Sequence, residues 1–155
     1  MIGRLLSAKM VPTSTDAGLL ILRVGTGLIL FLRHGWEKVS TLSLSNPKFP
    51  SVLGLGHTTT WIMAMLSDGI LSLLMVLGVG TRWIALYSFA EIFIAWAAVH
   101  HFAFLGKSPA ADHGELIALY LSALLALMVT GGGRYSVDAL LADKPEVKKT
   151  YPAHA

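Results

Sequence analysis

The chain has 155 residues, 54% of them apolar and 14% charged, with a formal net charge of +3 and no cysteine; its mean hydropathy is +0.65. That composition excludes a large water-soluble domain, and the missing cysteine excludes disulfide relay, a thiol nucleophile and iron–sulfur ligation by this chain. The basic residues flank apolar stretches and form no patch, so the partner they suit is the lipid bilayer and not nucleic acid.

In chain order, residues 1–16 are read as a cytoplasmic N-terminal segment carrying Arg4 and Lys9, with Ser14, Thr15 and Asp16 available to cap a first helix. Residues 17–142 are read as a membrane domain and 143–155 as a polar cytoplasmic tail. Within the domain, Ala17–Trp36, Trp61–Val79, Trp83–Phe104 and Leu116–Thr130 each approach the roughly 20 residues that cross a bilayer. The first is read as a retained helix and not a signal peptide, because Arg23 breaks its apolar core and no small-residue cleavage pattern follows it.

That first helix ends in Arg33-His34-Gly35-Trp36-Glu37-Lys38. At 100° per residue, Gly27, His34, Glu37 and Lys38 fall within about 60° of Arg23, so one face is polar while Leu20, Leu22, Ile29 and Phe31 make the other oily. A lipid-embedded helix with such a stripe must turn it toward protein. The following loop, Val39 to Thr60, contains Pro47 and Pro50 and the apolar Phe49, Val52, Leu53 and Leu55; it suits either a lid over the helix ends or a surface loop resting on headgroups.

The second helix carries Asp68 and leads to Gly78-Val79-Gly80, where Gly80 suits a left-handed cap. A link this short makes the second and third helices antiparallel neighbours. The third carries Glu91, with His100 and His101 near its end; they point about 100° apart on a helix, and His101 is the one on the Glu91 face. The fourth opens at Asp112, His113 and Glu115 and stops at Gly131-Gly132-Gly133, after which Ser136 caps a short interfacial helix. Trp36, Trp61 and Trp83 suit an aromatic belt. Lys and Arg divide seven to four in favour of the side holding both termini, which places the termini in the cytoplasm.

Arg23, Asp68 and Glu91 are therefore expected as a buried polar network, and His34, Glu37, Lys38, His101 and Glu115 as the lining of an outer pocket. Three readings stand side by side. The charges fix the bundle; or the pocket binds a small amphipathic molecule such as a quinone headgroup; or the histidines and carboxylates hold a metal. The histidine spacing matches no strong ligand template, so no metal is assigned. A quinone is the one cofactor the pocket suggests.

Leu20–Leu28, the His34–Lys38 exit, Asp68, Leu77–Arg82 and Gly131–Asp138 stand in an order and spacing that resembles the DoxX family of small bacterial membrane proteins, over Asp16 to Leu141. Asp68 stands where the family more often has a glutamate. The resemblance implies an all-α, antiparallel up-down four-helix bundle of the bacterial inner membrane. It also implies redox work with the quinone pool or a partner membrane oxidoreductase. A non-catalytic subunit packed against a larger membrane complex is the alternative.

Overall fold

A computed structural model describes residues 14–40, 46, 48–104 and 114–142, and among these there are helices and connections but no strand. Helix α1 runs Ser14–Leu30, widens into a π-helical segment at Phe31–Gly35, and continues as Trp36–Ser40. Helix α2 repeats that plan with Gly56–Met65, a π-helical Leu66–Leu71, and Ser72–Leu77. Helix α3 spans Thr81–Ala98, α4 spans Gly114–Thr130, and the short α5 spans Val137–Ala142.

The helices α1 and α2 pack along each other, as do α3 and α4, while α4 also meets α1 and α3 meets α2. Met75, Ile84, Ala85, Leu124 and Leu127 form the buried apolar core between them. Around the outside the usual order is inverted. Ile21 is 73% exposed, Leu119 68% and Val129 67%, whereas Arg23, Lys38 and Asp68 are each less than a tenth exposed. Large apolar side chains outside and charges inside suit a hydrocarbon solvent, where only polar groups need protein neighbours. By length and hydropathy two continuous helices, Thr15–Ser40 and Gly56–Leu77, are able to cross a membrane, and Gly114–Thr130 is a shorter apolar helix. The sequence has four stretches that approach a bilayer's span, Ala17–Trp36, Trp61–Val79, Trp83–Phe104 and Leu116–Thr130.

The two π-helical segments face each other. Gly35 is obligatory there, because a Cβ on it would run into the backbone carbonyl of Asp68 and the Cα of Gly69. An i→i+5 ladder leaves carbonyls without their ordinary partners. The Ser72 hydroxyl donates to the Asp68 and Gly69 carbonyls, and the Lys38 ammonium donates to the His34 carbonyl at 2.6 Å.

At the other end, α2 stops at Gly78 with φ +78° and α3 starts after Gly80 with φ +60°. The left-handed cap of α2 is thus Gly78, where the sequence pointed to Gly80. Gly78 N–H bonds the Leu74 carbonyl at 2.9 Å and Val79 N–H bonds it at 3.0 Å, closing the helix. Ser136 caps α5 as expected, accepting from Ala139 N–H at 3.2 Å. The segments 1–13, 105–113 and 143–155 lie outside the described residues, and with them most of the expected N-terminal segment, Asp112, His113 and the polar tail.

Candidate functional site

Between the π-helical segments lies a charged pair. Lys38 Nζ sits 3.0 Å from Asp68 Oδ2, with both residues buried. The same ammonium is 5.9 Å from the ring centroids of Phe49 and of Trp61, a cation–π distance to each. Phe49 and Trp61 meet edge to face at 5.2 Å. A carboxylate, a carbonyl and two aromatic faces thus replace the water that a lysine ordinarily keeps.

The pair opens on a cavity of about 350 Å³, within the usual size range of small-molecule sites. Its polar lining comes from Arg33, His34, Lys38, Asp68, Glu91, His100 and Tyr120, and its apolar lining includes Leu30, Ile92, Leu116 and Ile117. Phe49 and Pro50 of the long loop close one side, so that loop acts as a cover. Its attachment to the start of α2 is through His57 Nδ1–H to the Phe49 carbonyl, Gly56 N–H to Ser51 Oγ and Val52 N–H to Thr60 Oγ1.

Of the expected pocket residues, His34 and Lys38 line this cavity, and Asp68 and Glu91 join them from the expected buried network. Glu37, His101 and Glu115 do not line it; all three are exposed. For Glu37 the cause is the π-helical segment before it. Each residue there advances less than 100°, so everything after Gly35 lags, which turns Lys38 onto the interior face and Glu37 off it. For the histidines, α3 ends at Ala98 and His101 and Phe102 take positive φ, so the helical angle no longer applies and His100 is the one that reaches the cavity. Trp61 is 5% exposed and forms a wall beside Lys38, where a belt position was expected. Trp83, 77% exposed, fits the belt.

Arg23 does not join Asp68 and Glu91. It lies level with Met75, two helical turns or about 10 Å along α2 from Asp68. Its Nη2 donates to the Tyr135 carbonyl at 2.9 Å and its Nη1 to the Met75 carbonyl at 3.5 Å. The cation that pairs with Asp68 is Lys38.

Around Arg23 the C-terminal motif folds back as a clasp. Asp138 Oδ1 accepts from Gly80 N–H at 2.7 Å and Oδ2 from Thr81 N–H at 2.9 Å, so a carboxylate of α5 caps α3. Asp138 N–H returns a bond to the Gly78 carbonyl at 2.9 Å, and Asp16 Oδ1 accepts from Arg134 N–H at 3.0 Å. Burial alone pushes the Asp138 carboxyl up, but those two N–H groups and the nearby Arg23 guanidinium hold it below the ordinary carboxylate value.

Two residues escaped the sequence reading. Asp138 ends the Gly131–Asp138 motif, whose residues do not single it out. Tyr120 is 8% exposed, lines the cavity edge to face with His34 at 6.3 Å, and its hydroxyl finds no hydrogen-bond partner among the described residues. Only the i, i+4 spacing of Leu116, Tyr120 and Leu124 hinted that it faces inward. Also among the described residues, no group of three His, Asp or Glu side chains is placed to hold a metal ion.

These features define an all-helical membrane protein with a buried ion pair beside a ligand-sized cavity. The sequence profile of the DoxX family matches residues 18–101, and the chain belongs to that family. A Haemophilus influenzae protein described as uncharacterized is 30% identical over 147 residues, covering 93% of this chain and 92% of its own. No solved structure matches.

Proposed function

We propose that the cavity beside Lys38 and Asp68 binds the headgroup of a quinone, and that the protein serves a membrane redox reaction with the quinone pool or a partner oxidoreductase. The setting is an up-down four-helix bundle in the bacterial inner membrane with cytoplasmic termini. The observation that carries the reading is the convergence of His34, Lys38, Glu91 and Tyr120, whose hydroxyl has no partner among the described residues, on one cavity with apolar walls. A quinone headgroup is a flat apolar ring with hydrogen-bond acceptors at opposite edges, and this lining offers donors among apolar walls.

Tyr120, His34 and Lys38 would supply the hydrogen-bond donors to the ring oxygens. Glu91 lines the wall near Asp68, Lys38 and the Ser67 hydroxyl. The loop bearing Phe49 and Pro50 excludes water. A bound quinone would supply two-electron redox chemistry, and the chain's own residues would bind and orient it.

The test is purification in mild detergent, with mass spectrometry of both the lipid extract and the co-migrating proteins. Quinone that is retained by the native chain and depleted in Tyr120→Phe supports the reading. A chain that neither retains quinone nor takes it up when it is supplied refutes it, and a stoichiometric protein partner in that quinone-free sample would favour an accessory subunit.

A further inference from the structure

A second cavity adjoins the first. It is smaller, about 150 Å³, and its lining is almost wholly apolar: Val52, Leu53 and Leu55 from the loop, Met63 from α2, Ala90 and Ile94 from α3, among others. It shares Phe49, Pro50, Glu91, Ala95 and Val99 with the polar cavity. Glu91 thus stands on the wall between a space that suits a polar ring and a space that suits hydrocarbon. At the rim of the smaller space Leu53 is 71% exposed and Leu55 46%, large apolar side chains that a bilayer would cover.

We infer that this second cavity is a slot for the first segment of a hydrocarbon tail, and that the ligand of the polar cavity is a single-tailed amphiphile. Its ring lies against Tyr120 and Lys38, and its tail passes Glu91 and leaves between α2, α3 and the loop at Leu53 and Leu55. An apolar cavity of roughly 150 Å³ stays dry and takes a benzene-sized guest, so the slot has room for the first isoprenoid or alkyl unit of a tail. Entry is therefore sideways from lipid, under the Phe49–Pro50 cover, and not from water. This inference rests on the quinone reading of the polar cavity and adds where the tail lies.

The experiment compares two probes, a decyl-substituted benzoquinone and the same benzoquinone without a tail, binding to the full chain in detergent. Ala90→Phe fills the slot from a position that does not itself line the polar cavity, and Met63→Phe does so from α2 if the first variant fails to fold. Burying several methylenes is worth more than one factor of ten in affinity, so the expected result is a loss of about tenfold or more for the decyl probe and about twofold or less for the tail-less probe. If both probes bind and the filled slot weakens neither, or weakens both alike, the slot is not a tail site and the quinone reading survives. If the native chain binds neither probe, the quinone reading falls and the tail assignment falls with it.

Discussion

Lys38 and Asp68 meet at 3.0 Å across two helices that both widen into π-helical segments at that level. The widening, the glycine at position 35 and the ion pair form one device. Without the small Gly35, the backbones would not approach closely enough for Lys38 to reach Asp68 from a neighbouring turn.

Removing one partner of this pair strands the other. Lys38→Met leaves the Asp68 carboxylate buried, and such a loss costs about 3–5 kcal/mol where the remaining charge cannot escape. Lys38→Met with Asp68→Leu removes both charges and is expected to recover most of that loss. Thermal unfolding in one detergent, run as a double-mutant cycle, gives the coupling energy. Singles that unfold like the native chain, or a double as unstable as the worse single, would show the two charges to be independent.

Gly35→Ala tests the same device through the backbone. The added methyl meets Asp68 and Gly69 backbone atoms, which cannot move aside as a flexible side chain would. A loss of about 1–3 kcal/mol is expected from overpacking. Gly25→Ala has nothing within 4 Å to meet and serves as the control. Equal melting temperatures for the two variants would remove the close approach as a stabilising feature.

Much of this architecture is legible in the sequence. The helices fall near the apolar runs, Ser136 caps where expected, and the stripe containing His34 and Lys38 does face protein. What was not legible has one recurring cause: helical angles hold only while the helix is regular. The π-helical Phe31–Gly35 segment turned Glu37 off the interior face and kept Lys38 on it, and the end of α3 at Ala98 put His100 in the place expected for His101. Arg23 misled in depth instead of angle. A buried arginine in an apolar helix calls for an acid, but the carbonyls of Met75 and Tyr135 also accept its hydrogen bonds, and the residues that bring Tyr135 there are more than a hundred positions away.

The Arg23 clasp predicts a severe effect at Gly78. That residue has φ +78°, and a Cβ there would strike the Arg23 guanidinium and Ser136. The left-handed backbone alone costs a non-glycine residue about 1–2 kcal/mol, and Arg23 must also move. Gly78→Ala is expected to release residues 131–142, seen as faster amide exchange of Asp138 and Ala139 than in the native chain. Gly54→Ala, with a similar φ of +73° but open space around it, should cost only the backbone part. Matching exchange rates in Gly78→Ala and the native chain would mean that α5 docks without Arg23.

Asp138 gives the clasp a pH dependence. Its folded value lies below the ordinary carboxylate value of about 3.9, so its contribution is full above that value and disappears as pH falls through the lower folded one. At neutral pH Asp138→Ala is expected to cost about 1 kcal/mol, the usual worth of a helix cap. The difference between Asp138→Ala and the native chain should shrink steadily as pH is lowered below about 4, because the native carboxyl protonates and loses its advantage. Melting curves of both proteins from neutral to acid pH measure it. A difference that stays constant down to acid pH would mean that Asp138 acts by shape and not by charge.

Tyr120 separates a structural from a ligand role by the sign of its effects. Its hydroxyl is buried and has no partner among the described residues, and an unsatisfied buried hydroxyl is a cost to the fold. Tyr120→Phe deletes that hydroxyl and keeps the ring against His34, so the variant should be as stable as the native chain or more so. The same change removes a donor from the cavity, and quinone affinity should fall by a hydrogen bond's worth, about 0.5–1.5 kcal/mol or roughly two- to tenfold. Stability and affinity thus move in opposite directions or one stays still, which a merely structural tyrosine would not produce. Melting temperature and quinone binding measured on the same preparation decide it: a variant that loses stability while binding quinone as before would return Tyr120 to the packing of α4 and leave His34 and Lys38 as the donors to the ring.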